Sequence, residues 1–390
     1  MTAARPFDAF AVTAPGLAPL AAAELTAMGI TPTGTDPAGV TFHADAGQLA
    51  AVQLGLRTVS RVLVRLATFR ATAFHELERA ARQIDWAPIL PAGAPFALRV
   101  TCRKSRLYHS DAVAERVAGA IVRAIPGATW QTGTDTSDEA DEEGGTSEPA
   151  QLFIVRFDRD RCTISADASG ALLHRRGYRL AVARAPLRET LAAAMLLGVD
   201  YDPARPMVDP MCGSGTVAIE AALLARRMAP GRLRRFAAER WPQLEAATWR
   251  TAREAVAAAS LPAAPAPIIA ADRDAGAIDA ARANAERAGV AADIEFRVAA
   301  LSALALPPGP GLLIANPPYG IRVGERGPLR DLFARLGQVA RAQGAGWDLA
   351  LLSADRALEA QVGLPWTERF STSNGGIPVR LIRTRIPSPG

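Results

Sequence analysis

The feature that most constrains this chain is a short apolar stretch that runs directly into two prolines and a tyrosine. Leu312–Ile314 predicts a buried strand, and Asn316-Pro317-Pro318-Tyr319 ends it abruptly. The prolines fix the backbone and lack N–H groups, so the loop is stiff and its carbonyl oxygens stay free. The Asn316 side chain and the Pro317 carbonyl could each accept one hydrogen of an NH2 group, with Tyr319 stacked on the attached ring. We therefore predict a site for a planar exocyclic amine, with catalytic residues Asn316, Pro317, Pro318 and Tyr319.

A second stretch, upstream of the first, has the pattern of a ligand-binding turn. Met207–Thr216 predicts a short strand followed by a Gly-x-Gly turn, and residues 217–227 predict an apolar helix. The glycines let the backbone approach a ligand, and the helix start offers free N–H groups. Asp209 would repel a pyrophosphate but can pair with the amino group of a methionine moiety. The candidate cofactor-binding residues of this stretch are Asp209, Met211, Gly213, Ser214, Gly215 and Thr216.

The next predicted strand, Ile268–Ala271, ends at an acidic residue. An acid at the end of the second strand of such a sheet typically holds two ribose hydroxyls, and Asp272 has that position. Asp274 fits the N-cap of the following helix, which Gly289 ends. Residues 228–262, rich in arginine and tryptophan, form an insertion between the glycine turn and this strand, and we predict it to be helical.

The remaining pattern predicts an α/β protein in two parts. In the first part, strands and helices are predicted at 7–13, 15–29, 40–43, 47–55, 61–69, 95–101, 110–125, 151–157 and 161–166. In the second part, they are predicted at 186–197, 294–298, 329–341 and 347–353, before a hairpin over 368–386 that turns at Asn374-Gly375. Residues 133–149, acidic and rich in Gly, Ser and Thr, predict a disordered surface loop.

The charge and composition of the chain limit the kinds of partner that it can bind. The net charge is +5, and the segment 135–148 holds seven acids and no base, so the remainder carries about +12. That balance favours a polyanionic partner. The three cysteines are far apart without CxxC spacing, so neither a disulfide framework nor a metal site is predicted. The chain has no apolar run of about 18 residues and no signal-peptide pattern, so we expect a cytoplasmic protein without a membrane partner.

Three segments of the amino-terminal half carry a resemblance to a known family: Thr13–Leu17, Ser105–Ser110 and Ala168–Arg179. With the Asn-Pro-Pro-Tyr loop, they resemble class I S-adenosylmethionine (SAM)-dependent RNA guanine-N2 methyltransferases that carry a THUMP domain. The resemblance implies a Rossmann-like class I methyltransferase sheet and an amino-terminal α+β ferredoxin-like and THUMP RNA-binding region. The implied domains are a ferredoxin-like segment, a THUMP domain and a methyltransferase domain at residues 1–70, 71–167 and 168–390.

The same resemblance implies a cofactor and a partner. SAM is the implied cofactor, and Thr190 lies in a segment that the family places near its methionine end. RNA is the implied partner, with 23S rRNA expected first and tRNA second, and we expect the protein to be a monomer. Ala300 departs from the family, which has an aspartate there to bond the adenine amine. A backbone contact or Ser302 could take over that role.

Two basic clusters are the predicted RNA contacts. The first contains Arg99, Arg103, Lys104 and Arg106, and the second runs from Arg175 to Arg188 without an acid. Phosphate contact is the natural use of such a run, although a solvated connector between domains would also fit. The predicted RNA-binding residues are Arg103, Lys104, Arg175, Arg176, Tyr178 and Arg179, with Tyr178 available for stacking on a base.

The expected reaction is methyl transfer to the N2 amine of a guanine that has left its stack, without a metal or a covalent nucleophile. Four alternatives remain at this level. They are methylation of guanine N2 in tRNA, of adenine N6 in DNA, of glutamine N5 in a protein, and RNA binding without catalysis.

Overall fold

A computed structural model describes residues 6–132, 150–179, 187–319 and 326–387. The predicted acidic loop, 133–149, and part of the second basic cluster lie outside the described residues. The strands form one sheet of eight and one of seven strands, which confirms the predicted α/β class. None of the described helices is long and apolar enough to cross a membrane.

The amino-terminal half contains eight strands and four helices within residues 6–132 and 150–167. In chain order they are β1 (Phe7–Thr13), α1 (Ala18–Ala27), β2 (Pro32–Asp36), β3 (Gly39–Ala44), α2 (Ala46–Gly55), β4 (Val59–Arg70), α3 (Phe74–Arg82), β5 (Pro95–Arg103), α4 (Ser110–Ala124), β6 (Thr129–Trp130), β7 (Gln151–Asp158) and β8 (Arg161–Asp167). The sheet order is β2-β3-β1-β4-β8-β7-β5-β6. The sequence did not predict β2, β6 or α3.

Strand β4 joins the two parts of this sheet. It has 12 residues, so it is long enough to pair antiparallel with β1 and with β8. The predicted hairpin of β7 and β8 is confirmed, and Arg159 and Asp160 form its turn with positive φ angles of 50° and 64°. One continuous sheet therefore runs through the whole amino-terminal half.

The second half contains seven strands and six helices among its described residues. In chain order they are α5 (Glu189–Gly198), β9 (Met207–Asp209), α6 (Thr216–Ala225), α7 (Ala246–Ala258), β10 (Ile268–Asp272), α8 (Ala275–Ala288), β11 (Ile294–Val298), β12 (Leu312–Ala315), α9 (Arg326–Gln343), β13 (Asp348–Ser353), α10 (Arg356–Gln361), β14 (Thr367–Asn374) and β15 (Ile377–Arg385). The sheet order is β11-β10-β9-β12-β13-β15-β14.

Five adjacent strands of this sheet, β11 to β13 in the sheet order, pair in parallel, and β15 runs antiparallel between β13 and β14. The central strands β9, β12 and β13 are buried along their whole length, as expected for strands covered by helices on both faces. The order reverses direction at β9, with β10 on one side and β12 on the other. The predicted Rossmann-like sheet is thus confirmed, and its ligand-binding edge is where the carboxyl ends of these strands meet.

The terminal hairpin differs from the prediction by one residue. Asn374 pairs with Ile377, so the two-residue loop is Gly375-Gly376 and not Asn374-Gly375. Both glycines have positive φ angles, 55° and 81°. A two-residue hairpin turn of this hand requires positive φ at both positions, which glycine supplies without steric cost.

The insertion of residues 228–262 packs into the amino-terminal half. It contains a 3-10 turn, Ala237–Arg240, and helix α7, which lies against α2. Trp241 and Trp249 are 1% and 4% exposed and belong to the same apolar core as the amino-terminal strands. The insertion was predicted to be helical, but its contribution to this core was not predicted.

Candidate active site

Three polar side chains meet at the carboxyl edge of the second sheet. Asp209 is the last residue of β9, Asp272 is the last residue of β10, and Asn316 directly follows β12. Because β9 pairs in parallel with both neighbours, these strand ends lie side by side. The sheet therefore brings the predicted cofactor and amine sites together.

Two glycines with left-handed backbone conformations shape the turn after β9. Gly213 has a φ of +51°, and no heavy atom lies within 4 Å of the position that a Cβ would occupy. Gly215 has a φ of +82°, and a Cβ there would lie 2.8 Å from the Cβ of Ala281 in α8. The turn is thus packed tightly behind Gly215 and open in front of Gly213, which suits a ligand that approaches the backbone.

Asp209 is nearly inaccessible, with an exposed fraction of 2%. Its Oδ1 accepts a hydrogen bond of 3.2 Å from the backbone N–H of Met211, which also lies in the turn. Burial raises the pKa of this carboxyl group to about 7, the Met211 bond lowers it, and the nearby Asp272 raises it further. A buried carboxylate beside an open glycine turn is suited to a ligand that carries an ammonium group.

Asp272 supports the glycine turn. Its Oδ2 accepts a 3.0 Å hydrogen bond from the Gly213 N–H, and its Oδ1 accepts one of the same length from the Asp274 N–H. Each carboxylate oxygen still has a lone pair for a further donor, as the predicted ribose contact requires. Asp274 is the N-cap of α8, which Gly289 ends with a φ of 70°, as predicted.

The other predicted cofactor residues occupy different positions. Ser214 and Thr216 are buried at the start of α6, where the carbonyl of Ser214 accepts a 3.1 Å hydrogen bond from Asn284. Thr190 lies in α5 and lines a separate cavity that it shares with Asn374. Cys212 is buried in the turn, and burial raises the pKa of its thiol above the usual range, so it is a neutral packing group.

The Asn-Pro-Pro-Tyr loop is held by a chain of hydrogen bonds. The hydroxyl of Tyr319 donates a 2.6 Å bond to Oδ1 of Asn316 and accepts a 3.0 Å bond from Nδ2 of Asn374. Pro317 is buried and Pro318 is exposed. Burial raises the pKa of Tyr319 to about 12, so its hydroxyl stays protonated and remains a donor at neutral pH. Asn374, in the terminal hairpin, was missed because no local signal connects it with Asn316.

The position after β11 differs from the family pattern, as the sequence indicated. Ala300 is exposed and precedes a 3-10 turn, Leu301–Ala303, that contains the exposed Ser302. The backbone N–H of Ala299 donates a 2.9 Å hydrogen bond to the carbonyl of Asp272, which fixes this segment beside the ribose-binding candidate. A contact between Ser302 and an adenine ring stays a prediction.

The first basic cluster lies on the surface. Arg103, Lys104 and Arg106 are exposed at the end of β5, and Lys104 has a positive φ of 48°. Tyr108 follows them with an exposed fraction of 67%, and its ring centroid lies 4.0 Å from that of His109. An exposed aromatic pair beside basic residues is suited to base stacking. Tyr108 was not predicted as an RNA contact, although an aromatic residue next to the basic cluster was the available signal.

Two residues of the second basic cluster are buried, which contradicts the RNA contacts predicted for them. Tyr178 is 1% exposed, and its hydroxyl donates a 3.0 Å hydrogen bond to Oε1 of Glu220. Arg176 is 2% exposed and donates to the carbonyls of Leu173 and Arg57. Neither side chain can reach an RNA, because both are enclosed between α6 and the amino-terminal half.

Two further residues of this cluster have internal contacts. Arg179 forms a 3.1 Å ion pair with Glu189 and donates a 2.9 Å hydrogen bond to the hydroxyl of Thr216, so it braces the cofactor turn. Arg175 is half-buried, and its carbonyl accepts a bond from Arg234. Residues 180–186 of the predicted run are outside the described part of the chain. The RNA contacts predicted for Arg176 and Tyr178 are therefore replaced by roles in packing, and those of Arg175 and Arg179 stay predictions.

Comparison with known proteins assigns this architecture. Residues 176–383 match an RMKL-like methyltransferase domain, residues 8–63 an RlmL ferredoxin-like domain, and residues 71–167 a THUMP domain. A Synechocystis sp. protein named provisionally as an RNA methyltransferase, slr0064, is 33% identical over 98% of this chain and 97% of its own length. The ribosomal RNA large subunit methyltransferase K/L of Syntrophotalea carbinolica is 36% identical over 98% of this chain, which spans 54% of that relative.

A solved structure agrees with these matches. SMU.472, a methyltransferase candidate crystallised with S-adenosylhomocysteine, has a TM-score of 0.86 and 26% identity to this chain, and the similarity covers 99% of both chains. The methyltransferase match alone spans more than half of the 390 residues. The chain therefore belongs to the RMKL-like methyltransferase family and is an S-adenosylmethionine-dependent RNA methyltransferase.

Proposed function

We propose that the protein transfers a methyl group from SAM to the exocyclic N2 amine of a guanine in large-subunit (23S) rRNA. The observation that carries this proposal is the position of Asn316 at the end of β12, with its Oδ1 fixed by the Tyr319 hydroxyl at 2.6 Å. One lone pair of that oxygen takes the hydroxyl proton, and the second is left for one hydrogen of an amine.

The glycine turn supplies the cofactor site. SAM, when bound, provides an electrophilic methyl group on a sulfonium. Asp209 would bind the amino group of its methionine part, and Asp272 would bind the ribose hydroxyls. The open face of Gly213 supports this assignment, because the backbone there leaves room for a ligand.

The loop orients the amine. The second hydrogen of the amine would be accepted by the Pro317 carbonyl, so that both hydrogens are held and the nitrogen lone pair faces away from the loop. The ring of Tyr319 would stack on the guanine after it has left its helix. Catalysis in this scheme is positioning, with acceptors that stabilise the positive charge developing on the amine.

The choice of rRNA as substrate rests on a different set of residues. Arg103, Lys104 and Arg106 with the exposed Tyr108 form a basic and aromatic surface on the THUMP side, which supports contact with a structured RNA. The identity of 36% to a K/L methyltransferase supports large-subunit rRNA over other RNAs. Guanine N2 of tRNA is the second candidate.

The test uses nucleic acids from a strain that lacks the gene for this protein. Purified protein and SAM labelled in the methyl group are incubated separately with large-subunit rRNA, tRNA, DNA and total protein. Digestion and mass spectrometry of the nucleosides then identify the product. We expect labelled N2-methylguanosine in rRNA and none with Asn316→Ala.

Each other outcome overturns a defined part of the proposal. Label in tRNA alone overturns the choice of RNA. N6-methyladenine in DNA or methylglutamine in protein overturns the guanine assignment, and SAM binding without label in any substrate would indicate a catalytically silent protein.

A further inference from the structure

A cavity lies beside the active site, and five segments of the chain form its walls. Its volume is about 290 Å³, and its walls come from the end of β1, the start of β4, the segment after β8, the start of α5 and the terminal hairpin. That volume is at the lower end of the range for small-ligand sites, which suits a ligand of the size of a single nucleotide. The polar and charged lining residues considered below are Thr13, Ser60, His174, Arg188 and Asn374.

Two polar groups in the wall lack a protein partner. Thr13 is 6% exposed, and its hydroxyl oxygen has no hydrogen bond among the described residues. The Nδ1 atom of His174 is also buried and equally without a partner there. Ser60 in the same wall is different, because its hydroxyl donates a 2.9 Å bond to the carbonyl of Val12. A buried polar atom without a partner destabilises the fold by about 1–3 kcal/mol, so a ligand that hydrogen-bonds to these two atoms would recover that loss.

The described side chains that line the cavity are neutral or positively charged. Arg188 is exposed and has no ion pair with a described carboxylate, and no acidic residue is among those described in the lining. Burial, helped by the neighbouring Arg188 and Arg175, lowers the pKa of His174 to about 3. The imidazole is thus neutral at pH 7 and has one donor and one acceptor, as recognition of a base edge requires. The guanidinium of Arg188 is suited to a phosphate.

The cavity is connected to the reaction site through Asn374. This residue lines the cavity and donates a 3.0 Å hydrogen bond to Tyr319, which in turn donates to Asn316. The two glycines next to Asn374 have no heavy atom within 4 Å of a Cβ position, so the rim is open on this side. Neither Asn316 nor Tyr319 lines the cavity, so it is adjacent to the amine site and distinct from it.

We propose that this cavity binds the nucleotide next to the methylated guanine, with its base held by Thr13 and His174 and its phosphate held by Arg188. The inference rests on the proposed function, because it needs an RNA strand that passes Tyr319. It assigns the ferredoxin-like part of the chain a role in substrate reading, since Thr13 ends β1. Recognition of a splayed-out base by hydrogen bonds to its edge is the usual mode for single-stranded RNA segments.

The experiment compares RNA fragments that differ at one position. A synthetic RNA that adopts the fold of the natural substrate and contains the guanine to be methylated is prepared intact and with the base of either neighbouring nucleotide removed. For the wild-type protein, removal of one of the two neighbours should lower kcat/KM by about tenfold. Thr13→Val should lower kcat/KM on the intact fragment by about three- to tenfold, one lost hydrogen bond, and have no further effect on the abasic fragment. Arg188→Gln should raise KM on both fragments.

Ser60→Ala is the matched control, because it changes the same wall at a hydroxyl that already has a protein partner. It should leave the ratio between intact and abasic fragments as in the wild type. Thr13→Val should also leave the free energy of unfolding unchanged or raise it, since no bond of Thr13 Oγ1 is lost. Equal kcat/KM for Thr13→Val and wild type, or equal loss on intact and abasic RNA, would overturn the subsite.

Failure of the proposed function would be visible separately, as no methyl transfer by the wild type to the intact fragment. In that case the cavity is tested directly by NMR titration with the four ribonucleoside 5′-monophosphates. Binding that Thr13→Val and Arg188→Gln weaken, and that Asn316→Ala leaves unchanged, would support a nucleotide site. No binding, or binding that only Asn316→Ala weakens, would overturn it.

Discussion

The hydroxyl of Tyr319 lies 2.6 Å from Oδ1 of Asn316 and donates a hydrogen bond to it. This bond fixes which face of the Asn316 amide is presented at the end of β12, because the loop between them contains two prolines and has little freedom of its own. The tyrosine therefore has two functions that mutation can separate. In the proposed function its ring stacks on the guanine, and its hydroxyl holds the Asn316 amide that would accept the substrate amine.

The first prediction concerns Asn316 itself. Asn316→Ala should lower methyl transfer by at least about a hundredfold, as expected when a group that stabilises the transition state is removed. The affinity for SAM, measured by calorimetry, should stay within a few-fold, because the cofactor turn is at Asp209–Thr216. A comparable loss of SAM affinity would place Asn316 in the cofactor site and not at the amine.

The second prediction separates the hydroxyl of Tyr319 from its ring. Tyr319→Phe should lower kcat by about two- to tenfold, the loss of one hydrogen bond, with SAM affinity unchanged. Because Asn374 acts through the same hydroxyl, Asn374→Ala should have little additional effect on kcat in the Tyr319→Phe background. Additive losses in a double-mutant cycle of single-turnover rates would contradict the proposed chain of hydrogen bonds.

The third prediction is a pH dependence of cofactor binding. Burial raises the pKa of Asp209 from 3.8 to about 7, so in the free protein this group is partly protonated at neutral pH. A carboxyl group whose pKa is raised by folding lowers stability as pH increases from about 4 to about 7, because the unfolded chain releases its proton first. The ammonium of SAM needs the ionised form, so SAM affinity should rise between pH 6 and 8.

Calorimetry across this range checks the prediction. Binding below pH 7 should release a proton, which is measurable as a dependence of the binding enthalpy on the buffer. Asp209→Asn should bind SAM more weakly and remove the pH dependence. The same slope in the variant and in the wild type would exclude Asp209 as its origin.

The fourth prediction tests the exposed basic loop. Replacement of Arg103 and Lys104 by glutamine should weaken RNA binding and flatten the slope of log affinity against log salt by up to about 0.7–0.9 for each lost phosphate contact. SAM affinity and the melting temperature should be unchanged, since both side chains are exposed. The charge-matched control replaces Arg235 and Arg250, exposed residues of the insertion, by glutamine. Equal effects of the two pairs would indicate that only net charge matters.

The fifth prediction concerns the residue that the sequence assigned to RNA. Arg176→Ala should destabilise the fold by about 3–5 kcal/mol, because it removes the arginine that forms an ion pair with the buried Glu220. Addition of Glu220→Gln should recover part of that loss, since an amide can still accept the Tyr178 hydrogen bond without a charge. Thermal or urea unfolding of the single and double variants checks this. An unchanged stability with weaker RNA binding would restore the original assignment.

Local patterns predicted most of the strands, the glycine turn and the Asn-Pro-Pro-Tyr loop. Asp274, for example, caps α8 by a bond to Gly276 only two residues away, so the whole signal lies within one short segment. The same holds for Leu312–Ile314 and the prolines that follow. The parallel order of the strands then follows from the alternation of strands and helices, because parallel neighbours require crossover helices.

Burial of the second basic cluster could not be predicted in this way. The partner of Tyr178 is Glu220, 42 residues further along, and Arg176 donates to a carbonyl 119 residues earlier in the chain. A run of arginines is usually exposed, and only the docking of α6 against the amino-terminal half reverses that expectation. Asn374 was missed for the same reason, since 55 residues separate it from Tyr319.

Trp241 and Trp249 hold the two halves of this protein at a fixed spacing. They come from the methyltransferase half but complete the apolar core of the RNA-binding half, so a shared core joins the parts of the chain that carry the loop at Arg103 and the loop at Asn316. An RNA that is gripped at the first loop reaches the second only if its own folded shape spans that interval. The enzyme would then select its guanine by the three-dimensional form of the RNA, and an unfolded strand of identical sequence would be a poor substrate.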